Sequence, residues 1–371
     1  MLESLEIKNF RCLKDFKIPS LKRINLLTGK NNTGKSSILE AIAIYATKGN
    51  LRLITQLLNE RGENIQRNEK NATENNLKIF SSLFTDRKCG FDSTDVILIG
   101  GVENTISEEA KPPFNMPVTL RFVQYTADDD GLGLAKIEQK GENNIEDVYE
   151  LGIEIGNGDT GKIFPLDDPE RFSKLRFGFN NRNNGNLQYV RGRDIDSEDN
   201  GQLFDNIALT DKEQNVIDSL KIIEPATERI AFIEEGRRER IAVIKLSDSQ
   251  KVLPLRSMGD GINRVLTLIL ALVNSDNGFL LIDEFENGLH YTVQEQLWKI
   301  IFLMSQKLNV QVFATTHSED CIRAFGSVLN SSGNSQAGKV IRLDNKKGTI
   351  IPVEFDANDL EITSRNDIEI R

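Results

Sequence analysis

A chain of 371 residues with a formal net charge of -10 exceeds one average domain, so one core with a large insertion, or two to three lobes, is expected. Its 39% hydrophobic and 27% charged residues are those of a soluble globular protein, and the acidic balance excludes a generally DNA-coating surface while leaving room for a local basic groove. The longest apolar stretch, Val265 to Val273, is broken by Thr267 and too short to span a bilayer. The opening MLESLEIKNF carries early acids and strand-like alternation, so a secretory signal is not expected. Cys12, Cys89 and Cys321 lack metal-ligand spacing and suit free thiols in a reducing cytoplasm.

In chain order, the run Ile24 to Leu27 predicts a buried strand and Ser37 to Tyr45 a helix, with GKNNTGKSS between them. That string places Gly29, Gly34, Lys35 and Ser36 in the P-loop pattern GxxxxGK[ST], in its required strand–helix context. Glycines let the backbone curl so that the N–H groups of the loop, across Asn31, Asn32, Thr33 and Ser37, converge with the helix N-terminus on phosphate oxygens. Lys35 is expected to hold the β and γ phosphates and Ser36 to ligate Mg²⁺.

Residues 50–85 show helical periodicity, as in LRLITQLLNE and NNLKIFSSLF. Residues 93–165 alternate polar and apolar between glycine and asparagine turns, which predicts antiparallel strands in PVTLRFVQY and VYELGIEIG. From Arg171 to Arg193 six basic residues and four aromatics occur without an acid, a mixture suited to nucleic acid, an acidic partner or a phosphate-rich ligand, and also to a solvated loop. Residues 203–223 turn helical again, with TDKEQNVIDSL opening on a Thr or Asp cap. Sustained heptads are lacking, so a long coiled coil is not expected.

The last third carries the second half of a nucleotide site. SMGDG, Ser257 to Gly261, stands before an apolar helix from about Ile262 to Val273 and offers a second set of backbone donors at a helix start. FLLIDE follows: Phe279 to Ile282 reads as a central parallel strand ending in Asp283 and Glu284, where open α/β sheets place their ligands. Asp283 is placed to reach Mg²⁺ through its water shell and Glu284 to take a proton from the attacking water. ENGLH, from Glu286 to His290, comes next, and the strand Val310 to Ala314 then leads into Thr315, Thr316, His317 and Ser318; both histidines of the chain lie in these two runs.

The order GKNNTGKSS, SMGDG, FLLIDE, ENGLH, TTHS resembles the ABC-type ATPase head, with its Walker A, signature, Walker B, D-loop and H-loop. The opening LEIKNFRCL resembles the first strand of RecF-like and SMC-like heads, in which the arginine after NF, here Arg11, lies near the nucleotide. SMGDGINR with LLIDEFENGLH is similar, more narrowly, to the overcoming-lysogenization-defect (OLD) class and its stand-alone relatives, among them the ATPase subunit of the PARIS antiphage system. The close likeness covers about residues 1–50 and 250–325. It implies an α/β P-loop head with a mixed sheet and helices on both faces, plus an inserted α+β lobe. On that basis residues 1–90 and 226–371 form the head and 91–225 the lobe.

The resemblance further implies a homodimer or higher oligomer with ATP sandwiched between heads. Ser257, Gly259, Asp260 and Gly261 would act in trans, Glu286 and Asn287 in the D-loop, and His317 as a γ-phosphate sensor in cis. Two departures stand out: Asp260 puts a negative charge inside the signature and is expected to turn away, and the segment Leu83 to Asp86, where a Q-loop is due, has no glutamine. ATP is favoured over GTP because Asn345 to Gly348 reads NKKG rather than NKxD. An ATP switch in antiviral defence, acting on a separate effector such as a TOPRIM-type nuclease, is the first reading. A RecF-like DNA clamp, with nucleic acid as partner, and a transporter subunit stand beside it. The acidic C-terminal end, Glu354 to Glu369, is expected to be a frayed solvated tail, or else a docking surface for the effector.

Overall fold

The computed structural model describes residues 1–67, 71–88, 90, 95–102, 116–127, 134–136, 149–157, 160–169, 186–192, 197–235, 239–248, 251–331, 333–366 and 368–370. Cys89 and most of the basic, aromatic segment, from Arg171 through Arg182 and again at Arg193, lie outside them.

The chain starts with an antiparallel hairpin, β1 (Leu5–Phe10) and β2 (Leu13–Ile18), and then β3 (Ile24–Thr28), which delivers the P-loop to α1 (Lys35–Ala46). α2 (Leu51–Glu60) and α3 (Ala72–Ser81) follow. β4 (Ile97–Gly100), β5 (Val118–Ala127), β6 (Leu134–Lys136), β7 (Glu150–Asn157) and β8 (Thr160–Pro165) extend the opening hairpin into one antiparallel sheet, as the alternation predicts. β9 (Leu187–Val190) precedes α4 (Ser197–Asp205) and α5 (Asp211–Ile223), the latter capped by Thr210, whose side chain accepts from the Lys212 N–H. A three-stranded antiparallel sheet, β10 (Thr227–Glu235), β11 (Glu239–Leu246) and β12 (Val252–Pro254), leads to α6 (Asp260–Asn274). Then come β13 (Phe279–Ile282), α7 (Tyr291–Lys307), β14 (Gln311–Thr315), α8 (Glu319–Leu329), the hairpin β15 (Gly338–Lys346) and β16 (Thr349–Phe355), and α9 (Ala357–Arg365).

The central sheet runs β16-β15-β3-β14-β13-β9, parallel from β15 to β9 with β16 antiparallel at its edge. Strand side chains alternate between faces, and the two cores follow that alternation. Ile24, Leu26, Leu280, Ile282, Val312 and Ala314 enter one core with α6, α7 and α8; Leu27, Leu281, Phe313, Ile341 and Leu343 enter the other with α1 and the antiparallel sheet. Burial on both faces explains why these strands read as unbroken apolar runs. The result is an α/β architecture whose mixed central sheet is covered on both faces.

Two features bear on the expected organisation. β9 comes from within the stretch assigned to the lobe, yet it pairs with β13 and closes the central sheet. The acidic end is not a frayed tail: Asp356 accepts from the Asp359 N–H at 2.9 Å and Asp359 from the Asp356 N–H at 3.0 Å. This reciprocal cap starts α9, and Ala357, Leu360 and Ile370 are buried in the core. Among the described residues no helix is long and apolar enough to cross a membrane.

Candidate nucleotide site

β3 ends at Thr28, and the chain turns through Gly29, at φ 139°, Asn32, at φ 62°, and Gly34, at φ 84°. Gly29 is required on two counts: this φ suits glycine, and a β-carbon there would stand 2.6 Å from the carbonyl oxygen of Leu343. Gly34 caps α1 without a side-chain acceptor, and the first turn has no acid, so the positive end of the helix is left for a ligand. Thr33 Oγ1 donates to the Lys30 carbonyl at 2.8 Å, and Lys35 Nζ donates to the carbonyls of Gly29 at 2.7 Å and Lys30 at 2.8 Å. Burial pushes the Lys35 ammonium down to about 8, against the opposing pull of the Asp283, Glu286 and Glu284 carboxylates.

Those carboxylates arrive from the end of β13, two strands away across β14. Phe285, fully buried, stacks on Trp298 with centroids 4.0 Å apart and anchors the chain between Glu284 and Glu286. Thr315, at the end of β14, donates its hydroxyl to Asp283 Oδ1 at 2.5 Å and accepts from the Glu284 N–H at 2.9 Å. Glu284 takes a left-handed φ of 52° to make this turn. Beneath it the buried Arg264 of α6 donates to the carbonyl of Arg191 at 2.7 Å, of Asp283 at 3.3 Å and of Glu284 at 3.4 Å, tying the ends of β9 and β13 together. Glu284 is exposed, whereas Asp283 and Glu286 are half-buried.

An open cleft of about 1020 Å³ lies over the P-loop. Arg11, Asn31, Asn32, Thr33, Gly34, Lys35, Ser36, Ser37 and His317 all line it, so the structure gathers these predicted residues around one space. Arg11 is held by an ion pair from its Nε to Glu40 Oε2 at 2.7 Å, and Arg61 of the α2 end holds the other oxygen of Glu40 at 2.8 Å. Ser82 and Arg87 reach the same cleft. The segment expected to supply a Q-loop therefore borders the site without a glutamine, and the Leu83 carbonyl accepts from the Arg11 N–H at 2.7 Å.

The residues expected to form a signature stand apart from this cleft. Ser257 and Gly259 are exposed; Ser257 Oγ donates to the Pro254 carbonyl at 2.7 Å, and Gly259, at φ 105°, has open space where a β-carbon would be. Asp260 and Gly261 open α6, and Gly261 approaches the Gly288 carbonyl. The side chain of Asp260 lies outside the described residues. Asn287 donates its amide to the Gly192 carbonyl.

A hydroxyl from Ser36 and a carboxylate from Asp283 are hard oxygen donors of the kind Mg²⁺ takes, with water completing its shell. The polar character of the Thr315–Asp283 pair, set at a strand end instead of in the apolar core, fits that cation. Asn345 of the NKKG run accepts from the Gly348 N–H at 2.9 Å inside the tight turn from β15 to β16, so it serves that turn and does not read a base.

Residues 1–149 match the family described as "AAA ATPase domain", and residues 140–320 the family described as "AAA domain, putative AbiEii toxin, Type IV TA system". The P-loop geometry and these two ATPase-domain matches make the chain an ATPase. Among characterised proteins the chain is similar to the ATP/GTP phosphatase of Helicobacter pylori, at 23% identity over 99% of each chain. A DNA double-strand break repair Rad50 ATPase of Archaeoglobus fulgidus is 54% identical over 50 residues, covering 13% of this chain and 6% of that protein. Among solved structures, an SMC head bound to the C-winged helix domain of ScpA aligns over 96% of this chain and 98% of that one, with 14% identity and a TM-score of 0.49. The SMC head of Thermotoga maritima aligns over 96% and 99%, with 12% identity and a TM-score of 0.45.

Proposed function

We propose that this ATPase is a molecular switch in which two heads close around two ATP molecules and hydrolysis lets them part. The observation that carries this reading is the placement of Ser257 and Gly259: a second glycine-bearing helix start, exposed and outside the cleft of its own chain. Such a helix end acts on a nucleotide when another head brings one to it.

Within each head the roles follow from position. The P-loop and Lys35 bind the phosphates. Ser36 and Asp283 would hold Mg²⁺, which neutralises phosphate charge when bound. Glu284 takes the proton of the attacking water, as the exposed carboxylate beside the strand end; His317 faces the γ-phosphate from the cleft wall, and Arg11 lies toward the nucleoside. ATP is the nucleotide, and GTP is the competitor to measure, since the full-length Helicobacter relative is named for both.

The output is a change in assembly that controls an effector on a separate chain, in prokaryotic antiphage defence. The motif likeness to OLD-class ATPases and the matched family described with a putative toxin support this setting; the formal charge of -10 speaks against the RecF-like clamp. Mass measurement in solution tests the switch. Glu284→Gln with ATP and Mg²⁺ is expected at twice the mass of the wild type with ADP, and a single-chain mass in both would sink the sandwich.

A further inference from the structure

Glu286 spends both carboxylate oxygens on the turn that carries His317. Its Oε1 accepts from the His317 backbone N–H at 2.7 Å and its Oε2 from the Thr316 hydroxyl at 2.7 Å. The Thr316 hydroxyl in turn accepts from the Ser318 N–H at 3.0 Å, and Ser318 Oγ caps α8 by accepting from the Cys321 N–H at 3.3 Å. Thr316 is fully buried and Glu286 half-buried, so these charge-assisted bonds are little contested by water. Both oxygens of this carboxylate are engaged by the turn, whereas Glu284 is exposed.

The backbone of Glu286 belongs to a different feature. The Asn287 N–H donates to the Glu284 carbonyl at 3.0 Å and the Leu289 N–H to the Glu286 carbonyl at 3.0 Å, forming a turn whose residues Asn287 and Gly288 are exposed. Gly261, in the first turn of α6, abuts the Gly288 carbonyl of this same turn. One residue therefore joins the exposed signature–turn surface, through its backbone, to His317, through its side chain. Phe285, buried and stacked on Trp298, anchors the start of this turn.

We infer that Glu286 is a positioning residue: its carboxylate holds the backbone turn Thr316–Ser318 and so sets His317 against the nucleotide. The inference rests on the reading of His317 as a phosphate-facing residue.

Glu286→Ala removes both acceptors. Glu286→Gln keeps an oxygen for the His317 N–H and turns its NH₂ to the Thr316 oxygen, while removing the charge. Steady-state ATP hydrolysis of Glu286→Ala is expected to lose about tenfold or more in kcat, as for other supporting residues of a site, with KM nearly unchanged. Glu286→Gln is expected to recover most of that loss. In a His317→Ala background, Glu286→Ala should add less than about threefold, because residues acting through one another are not additive. An equal loss from Glu286→Ala with and without His317 overturns the inference alone, as does Glu286→Gln failing as badly as Glu286→Ala. Wild-type turnover by His317→Ala overturns the phosphate-facing reading and the inference with it. If Glu286→Ala does not fold, Thr316→Val serves in the same cycle: a loss that vanishes in the His317→Ala background supports the coupling, and one that persists refutes it.

Discussion

Gly192 and Glu284 occupy neighbouring space that only a missing side chain leaves open: a β-carbon on Gly192 would meet Oε2 of Glu284 and stand 3.0 Å from its Cδ. Gly192 does not lie in the left-handed region, so alanine suits its backbone, and what must yield is the Glu284 side chain, from its carboxylate to its Cβ at 3.1 Å. Gly192→Ala is therefore expected to fold with little loss of stability and to bind ATP, while displacing the proposed base. A misplacement of about 1 Å costs as much as about 10²-fold in rate. Single-turnover hydrolysis beside equilibrium nucleotide binding checks it, and an unchanged rate would remove this packing from the mechanism.

Much of the head was legible because its signals are local. GKNNTGKSS and FLLIDE each carry strand, turn and ligand residues within a dozen positions, and both strands fall at β3 and β13 as expected. β9 was not legible: LQYV is four residues long, lies within a basic stretch of sequence, and gains its meaning only by pairing with β13 some ninety positions on. Thr315, Arg264 and Gly192 were missed as supports of the site for the same reason, since each acts on Asp283 or Glu284 from another element. The C-terminal end misled by charge. Asp356 and Asp359 form a cap spaced three apart, a signal that outweighs the acidic composition around it.

Lys35 predicts a pH dependence of nucleotide binding. Burial brings its ammonium down to about 8 from the ordinary 10.5, and phosphates would favour the charged form again, so binding takes up a proton above pH 8. Affinity for a non-hydrolysable ATP analogue is expected to fall as pH rises through 8, by up to about tenfold per pH unit. The free protein should behave oppositely. Between about 8 and 10.5 the unfolded chain binds more protons at this site than the folded one, so stability from Lys35 rises with pH across that window. Calorimetry in buffers of different ionisation enthalpy reads the proton uptake directly, and its absence at pH 9 would contradict the assignment.

Cys12 and Cys321 should differ sharply toward a thiol reagent. Cys12 is exposed, lines the cleft and points its Sγ at Ser37 Oγ, 3.8 Å away. Cys321 is fully buried, and burial pushes its thiol up to about 12, which suppresses the reactive thiolate. N-ethylmaleimide at pH 8 is expected to label Cys12 and spare Cys321, and Mg-ATP to slow the labelling of Cys12. Peptide mapping by mass spectrometry separates the two, and labelling of Cys12 at equal rates with and without Mg-ATP would place the nucleotide elsewhere.

Ser257→Arg tests the exposed signature without touching the cleft. Ser257 is at the surface, and its hydrogen bond to the Pro254 carbonyl stays within a local turn, so the change is expected to shift stability by no more than about 0.5 kcal/mol. A lone head should then bind ATP as the wild type does, because the P-loop, Lys35 and the β13 carboxylates are intact. A long cationic side chain at the helix start would occupy the place that a partner's phosphate needs. In the Glu284→Gln background, Ser257→Arg is expected to abolish the ATP-dependent doubling of mass while leaving nucleotide affinity at low protein concentration unchanged. Doubling that persists would mean that the heads meet through another surface, with the helix start of α6 facing solvent in both states.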